Sequence, residues 1–353
     1  MANCSTSVDL TQKIDFLSSP DSYGPGTQRV ETRETHMSWV FLTEDRVFKL
    51  KKPVRHTFLD FSSIAKRRFF CEEELRLNRR LAPETYRRVL PLRRDACGRL
   101  QLDGESRIVD WLVEMKRLRQ ADMLDQRIRH GHVGPDEIAR VAAILAGFYK
   151  SRRPEFADGT AYLDHLFEEQ RINRSFLLRP QFAFADLASS PLDKVDQLLV
   201  CLKPQIEARI AAGAIVEGHG DLRPEHVCLC EPPQIIDCLE FNRSMRIIDP
   251  YDEINYLGLE CEMIGAAWIR PLLNSTLREQ FHLSPSPELL ALYGGFRALL
   301  RARLSIVHLL DKPIRHPEKW RPLALRYIRQ AARECLNLPS SEARRLTHAG
   351  GAV

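Results

Sequence analysis

The chain has 353 residues, of which 44% are hydrophobic and 28% charged, a balance that excludes a disordered polymer and leaves ample length for a buried core. Its net charge of +5 suits an anionic ligand but is too small to indicate nucleic acid as a partner. The longest apolar stretch, Val141 to Tyr149, falls far short of the roughly 20 residues a membrane span needs, so no membrane partner is expected.

The start, Met1-Ala2-Asn3-Cys4-Ser5, lacks the charged-then-apolar pattern of a secretory signal. The nine cysteines are unevenly spaced and read as reduced thiols. Both features lead to the expectation of a cytoplasmic protein; the oligomeric state is left open.

Residues 1–27 are turn-rich, with Ser18-Ser19-Pro20 and Gly24-Pro25-Gly26, and read as a short helix followed by a loop. Val30–Thr35, Ser38–Leu42 and Arg46–Lys51 are short β-prone runs separated by turns, the pattern of an antiparallel meander. Asp60 or Ser62 is placed to cap a helix running to about Arg80, which Ala82-Pro83 ends. Further β-prone runs follow at Val89–Leu92, Arg99–Leu102 and Ser106–Met115. Beyond Pro135 apolar residues recur at helical spacing, in Asp136–Lys150, Tyr162–Leu178, Val195–Ile215, Glu288–Leu310 and Trp320–Leu336. Two short strands, Val227–Cys230 and Gln234–Cys238, flank Pro232-Pro233. A β-rich first third and a helical remainder predict an α+β chain in two lobes.

The densest chemistry lies in His219-Gly220-Asp221-Leu222-Arg223-Pro224-Glu225-His226-Val227, followed sixteen residues after Asp221 by Asp237 in Ile235-Ile236-Asp237. Phosphoryl transfer needs one carboxylate to take the attacking hydroxyl's proton and another acidic group to hold Mg²⁺ on the phosphates. Asp221 and Asp237 fill those two posts. One position departs from the kinase pattern H-x-D-x-x-x-x-N, because His226 stands where Asn is expected.

The strings H-G-D-L-R-P-E-H, I-I-D-C-L-E-F-N and I-I-D-P-Y-D-E-I-N-Y-L resemble the aminoglycoside phosphotransferase-like branch of the protein-kinase superfold. E-T-H-M-S-W-V-F-L-T, V-F-K-L-K-K-P-V and F-C-E-E-E-L-R-L-N-R-R-L-A-P are similar to stretches of uncharacterised bacterial proteins of that branch. The likeness covers about residues 28 to 265. It implies a protein-kinase-like two-lobed α+β fold: an N-terminal segment 1–27, a β-rich nucleotide-binding lobe 28–118, and a helical lobe 119–353 with the catalytic and metal loops.

It further implies ATP as cofactor, Mg²⁺ or Mn²⁺ as the metal, and a small-molecule substrate with a hydroxyl acceptor. Asp221 would be the catalytic base, His219 a support for its loop, and Asp237 the metal ligand. His226 leaves three outcomes open: one-metal chemistry, a shift toward Mn²⁺ because imidazole is a poor Mg²⁺ ligand, or a site that binds nucleotide without turnover. The last would make the chain a pseudokinase with a regulatory or interaction role.

In the β-rich lobe a strand lysine should meet the phosphates and pair with a helix glutamate. Lys49 and Lys51 share one strand face with Val47. Lys49 is chosen for its apolar neighbours, and Glu74 as its partner because it shares a helix face with Leu77 and Leu81; Glu72 and Glu73 remain alternatives. In place of a glycine-rich loop stands Thr35-His36-Met37-Ser38, whose amides and Ser38 hydroxyl could touch phosphate. Asp110–Leu118 resembles the last strand and hinge, placing Glu114 and Lys116 near adenine. Asp249-Pro250 and Asp252 read as a helix cap.

Two rival sites compete. His219, His226, Cys228, Cys230, Cys238 and Cys261 could suggest zinc, although C-x-C does not match the usual zinc spacing. The Arg-rich segment Arg315–Arg345 could grip RNA, or could place Trp320, Leu323, Tyr327 and Ala331 as the buried stripe of a terminal helix.

Overall fold

The computed structural model describes residues 8–56, 59–155, 159–281, 283–310, 314 and 316–336. The opening pentapeptide, and residues 315 and 337–345 of the Arg-rich segment, lie outside the described residues.

In chain order the first elements are α1 (Leu10–Ser18), β1 (Glu31–Glu34), β2 (Ser38–Leu42), β3 (Arg46–Lys51), β4 (Arg55–His56), β5 (Leu59–Asp60) and α2 (Ile64–Asn78). Then come β6 (Tyr86–Arg94), β7 (Leu100–Leu102), β8 (Arg107–Lys116), α3 (Leu124–Arg129), α4 (Pro135–Lys150), α5 (Gly159–Leu177) and α6 (Ala185–Ala211). The remainder comprises β9 (Val216–Glu217), β10 (Val227–Cys228), β11 (Gln234–Ile235), β12 (Ile247–Ile248), α7 (Pro250–Met263), α8 (Ile269–Gln280), α9 (Pro287–Val307) and α10 (Pro317–Leu336). By packing, the chain divides into two compact units, Met1–Ile144 with His219–Met245, and Leu145–Gly218 with Arg246–Val353. The segments 219–227 and 235–237 both belong to the sheet-bearing unit.

That first unit is built on a six-stranded sheet of order β1-β2-β3-β8-β6-β7, antiparallel throughout. Strand alternation gives it two distinct faces. Phe48 and Leu50 of β3 join Leu112, Leu90, Leu17 and Tyr23 in a core cluster that includes α1. Val47, one residue out of phase, packs with Val113, Met115 and Tyr86 against Cys71 and Leu75 of α2. Lys49 and Lys51 fall on this second face, toward α2 and its Glu74.

The cap of α2 is Ser63, whose side chain accepts the Lys66 amide. Asp60 and Ser62, the candidates from sequence, do not cap it: Asp60 Oδ1 accepts the amide and hydroxyl of Ser62, a local turn that leaves the next serine to start the helix. A buried carboxylate, Asp110 on β8, ties both helices to the sheet. It is held by Arg67 at 2.8 and 2.9 Å and by Lys13 at 2.6 Å.

The second unit is helical. Its centre is α7, with residues from Pro250 to Cys261 buried all round, the mark of a core helix. The polar groups of α7 are matched one by one: Asp252 by Arg297, Glu253 by Tyr149 and Glu260 by Tyr327 and Arg301. Asp249 caps the helix by accepting the Tyr251 amide, as its D-P motif predicts, and also takes Arg209 and the Tyr293 hydroxyl. The terminal helix buries Ala324, Tyr327, Ile328 and Ala331, while Trp320 is partly exposed and stacks on His308. Among the described residues no helix is long and apolar enough to cross a membrane.

Candidate active site

Three separated segments of the first unit bring opposite charges together. Lys49 Nζ from β3 lies 2.9 Å from Glu74 Oε1 of α2 and 2.9 Å from Asp237 Oδ1. Glu74 is therefore the partner, not Glu72 or Glu73, which pair with Arg68 and Arg76. Burial opposes charge on Lys49, but Asp237 and Glu74 outweigh it and hold the ammonium well above its ordinary pKa. Lys49 in turn keeps the Asp237 carboxyl far below the usual range, with burial opposing and His226 adding to the effect. For Glu74, burial pushes the pKa up, and Lys49 with Lys51 reverse this to a net lowering. All three stay ionised at neutral pH.

The backbone holds Asp237 in an unusual place. Its φ is +61°, the left-handed region that costs a non-glycine residue free energy unless neighbours fix it. The neighbours are present: the Asp237 amide donates to the Tyr86 hydroxyl at 3.1 Å, and the Cys238 amide to Asn78 Oδ1 at 2.8 Å. Asn78 also donates to the Glu74 carbonyl. Sequence reasoning passed over Asn78, although its i+4 spacing from Glu74 puts it on the same helix face. It likewise assigned no role to Tyr86.

Two imidazoles of the loop 219–226 meet the stretch 236–237. His219, fully buried, contacts the Ile236 carbonyl through Nε2 at 2.8 Å and receives the Asp221 amide on Nδ1 at 3.3 Å. Since a carbonyl only accepts, Nε2 carries the proton. Gly220 between them has φ +90°, which only glycine adopts freely. His226 Nδ1 donates to the Asp221 carbonyl at 2.7 Å, and its Nε2 lies 3.6 Å from Asp237 Oδ2 and 3.3 Å from Arg223 Nη2. The same ring is 4.0 Å from Asp221 Oδ2. His226 thus spans the two acidic groups. Arg223 ion-pairs with Asp221 at 3.0 Å.

The other candidates make contacts of their own. Ser38 opens β2 opposite Lys51; its amide goes to Thr35 Oγ1 at 2.9 Å and its carbonyl receives the Thr35 amide at 2.9 Å. Glu114 pairs in register with Phe48 and Arg88, on the face opposite Lys49, and its carboxylate takes Arg88 at 2.7 Å. Lys116 lines a cavity of about 440 Å³ with Leu118, Arg119, Asp122, Cys228 and Gln234. Lys49, Glu74, Asp221 and Asp237 are not among its lining residues.

A metal is implied by this chemistry, and the donor set fits one. Mg²⁺ takes one or two carboxylates and completes its shell with phosphate oxygens and water, and Asp237 is a half-exposed carboxylate with the His226 ring 3.6 Å away. Among the described residues no group of three or more His, Cys, Asp or Glu is arranged to hold a metal by itself, which leaves the zinc alternative without a site there. The eight cysteines among the described residues are free thiols.

The architecture has solved counterparts. Over 96% of this chain and 97% of the other, it superposes on a choline/ethanolamine kinase family protein from Mesorhizobium loti with a TM-score of 0.51 at 15% identity. It superposes on a thermostable form of the aminoglycoside phosphotransferase APH(4)-Ia, in ternary complex with AMP-PNP and hygromycin B, with a TM-score of 0.52 at 11% identity, covering 93% and 100%. The chain shares the α+β, kinase-like fold of these two solved structures. In sequence the chain is 26% identical over 282 residues to an uncharacterised protein of Mycobacterium tuberculosis and to its counterpart in Mycobacterium bovis, covering 79% of this chain and 55% of theirs. It spans about half the length of these curated relatives. No protein-family model matches the chain.

Proposed function

We propose that this protein is an ATP-dependent phosphotransferase that delivers the γ-phosphoryl group to a hydroxyl of a small molecule. The observation that carries the reading is the meeting of Lys49, Glu74 and Asp237 from three distant segments at 2.9 Å contacts, next to a loop bearing Asp221. That the structural neighbours are small-molecule kinases, one of them with AMP-PNP bound, supports it.

Asp221, one-third exposed, is the base. It takes the proton of the substrate hydroxyl as that oxygen bonds to the γ-phosphorus and the bond to the β-phosphate oxygen breaks, releasing ADP. Arg223 keeps the carboxylate oriented. Lys49 turns to the α- and β-phosphates. His219 fixes the loop through its two ring nitrogens. Asp237, with His226 beside it, would hold Mg²⁺ or Mn²⁺, which neutralises charge on the phosphates when bound. Free thiols and the absence, among the described residues, of a membrane-crossing helix support a cytoplasmic location.

The competing reading is a nucleotide-binding pseudokinase. It is favoured by one observation, the imidazole of His226 where the family pattern places a second metal-binding Asn. Asp221→Asn decides between them. For an enzyme, ATP consumption with Mg²⁺ or Mn²⁺ falls about 10²- to 10⁴-fold while AMP-PNP affinity is retained. Equal rates for wild type and variant across both metals would sink the enzyme reading.

A further inference from the structure

Glu74 does not hold one lysine but two. Its Oε1 takes Lys49, and its Oε2 takes Lys51 at 2.5 Å. Lys51 is fully buried, lies over the Phe61 ring at 5.0 Å, and makes a second ion pair with Glu240, three residues after Asp237. Lys49 differs: its side chain is 16% exposed and its second partner, Asp237, is 47% exposed. The two lysines are two residues apart on one strand face, yet one opens toward solvent and the other does not.

That asymmetry divides the labour. A lysine that meets a polyphosphate must loosen its hold on carboxylates to do so. If Lys49 were the sole partner of Glu74, this exchange would leave a buried carboxylate short of its counter-charge, which is costly. Lys51 removes the conflict, because it has no exposed surface through which to leave. Its bond to Glu240 also links the end of α2 that carries Glu74 to the stretch following the strained Asp237.

We propose that Lys51 is a positioning residue that holds Glu74 and, through Glu240, the segment after Asp237, so that Lys49 exchanges carboxylate for phosphate without releasing α2. The inference rests on the proposed role of Lys49 at the phosphates.

An acyl-phosphate derivative of ATP tests it on the full chain. A lysine near the phosphates whose ammonium first gives a proton to water attacks the acyl carbonyl as the amine, the bond from that carbonyl to the phosphate oxygen breaks, ATP departs and a second nitrogen proton goes to water, leaving an amide that peptide mass spectrometry locates. The expected label is on Lys49, blocked by excess ATP, with Lys51 unmodified. In Lys51→Met/Glu240→Gln, which removes the cation with one of its two carboxylates, labelling of Lys49 at saturating probe slows by about tenfold or more, a readout that a change in stability alone does not move. Should that variant fail to fold, Glu240→Gln alone is expected to slow labelling by about two- to fivefold.

Label on Lys51, or an unchanged saturated rate at Lys49 in the folded variants, overturns the proposal. Absence of ATP-protected label on either lysine overturns the phosphotransferase reading beneath it, a result distinct from the other two.

Discussion

Replacing Lys49 by methionine separates holding the site together from handling phosphate. Removing one partner of a buried ion pair costs about 3–5 kcal/mol when the remaining charge has no other partner. Here neither partner is abandoned. Glu74 keeps Lys51 at 2.5 Å, and Asp237, with 47% of its side chain exposed, returns to water. Methionine replaces most of the lost volume, so the expected loss is only about 1–2 kcal/mol, and the variant should fold. Urea unfolding at pH 7, with and without Mg²⁺·AMP-PNP at a hundred times the wild-type Kd, measures both quantities. Wild type should gain about 2.7 kcal/mol from the nucleotide. A variant whose affinity has fallen a hundredfold should gain only about 0.4 kcal/mol at the same concentration. Equal nucleotide gains refute the assignment of Lys49 to the phosphates. A loss of about 4 kcal/mol or more without nucleotide refutes the argument that Glu74 has an independent anchor.

His226→Asn should move metal preference from Mn²⁺ toward Mg²⁺, read as the ratio of nucleotide-dependent thermal shifts with each metal; an unchanged ratio removes His226 from the metal's surroundings. Asp249→Asn keeps the helix cap but deprives the largely buried Arg209 of its counter-charge, and should cost about 3–5 kcal/mol in urea unfolding; a change below about 1 kcal/mol would contradict the buried-pair argument. His165 has a lowered pKa, chiefly from burial, with Glu169 opposing and Arg297 and Arg303 adding. The unfolded chain then binds the proton more readily, so stability is lost as pH falls below the ordinary histidine value near 6.5. His165→Gln should flatten that limb of a pH–stability curve, and an identical slope in both proteins rules out His165 as its source.

The sheet was legible because its strands alternate. Phe48-Lys49-Leu50-Lys51 writes its two faces directly, and β2 and β3 lie where the pattern puts them. Less was visible where context overrides local signal. The expected helix Val195–Ile215 begins ten residues earlier, at Ala185; Ser189-Ser190-Pro191 reads locally as a break, yet Pro191 stands inside α6. The near-continuous burial of α7 erased the amphipathic period by which helices are found.

At the site, the pairing of Lys49 with Glu74 followed from strand alternation and helix face together. What the sequence could not convey was that Lys51 would share the same carboxylate, or that Glu240 would meet it, since a contact across 189 residues has no local signature. Glu114 lies in the last strand of the segment as expected, and its side chain follows strand parity to the face away from Lys49.

The distance along the chain between these charges bears on how the protein comes to be folded. Lys49 and Lys51 sit on the third strand, whereas the carboxylates of Asp237 and Glu240 follow 188 and 189 residues later. During synthesis the early strands and α2 emerge with two lysines facing a single glutamate, and the charge balance of that pocket is completed only after the excursion 145–218 has been made. Closing so long a loop is slow. The lysine-bearing face of the sheet therefore receives two of its three carboxylates only from the far side of that loop.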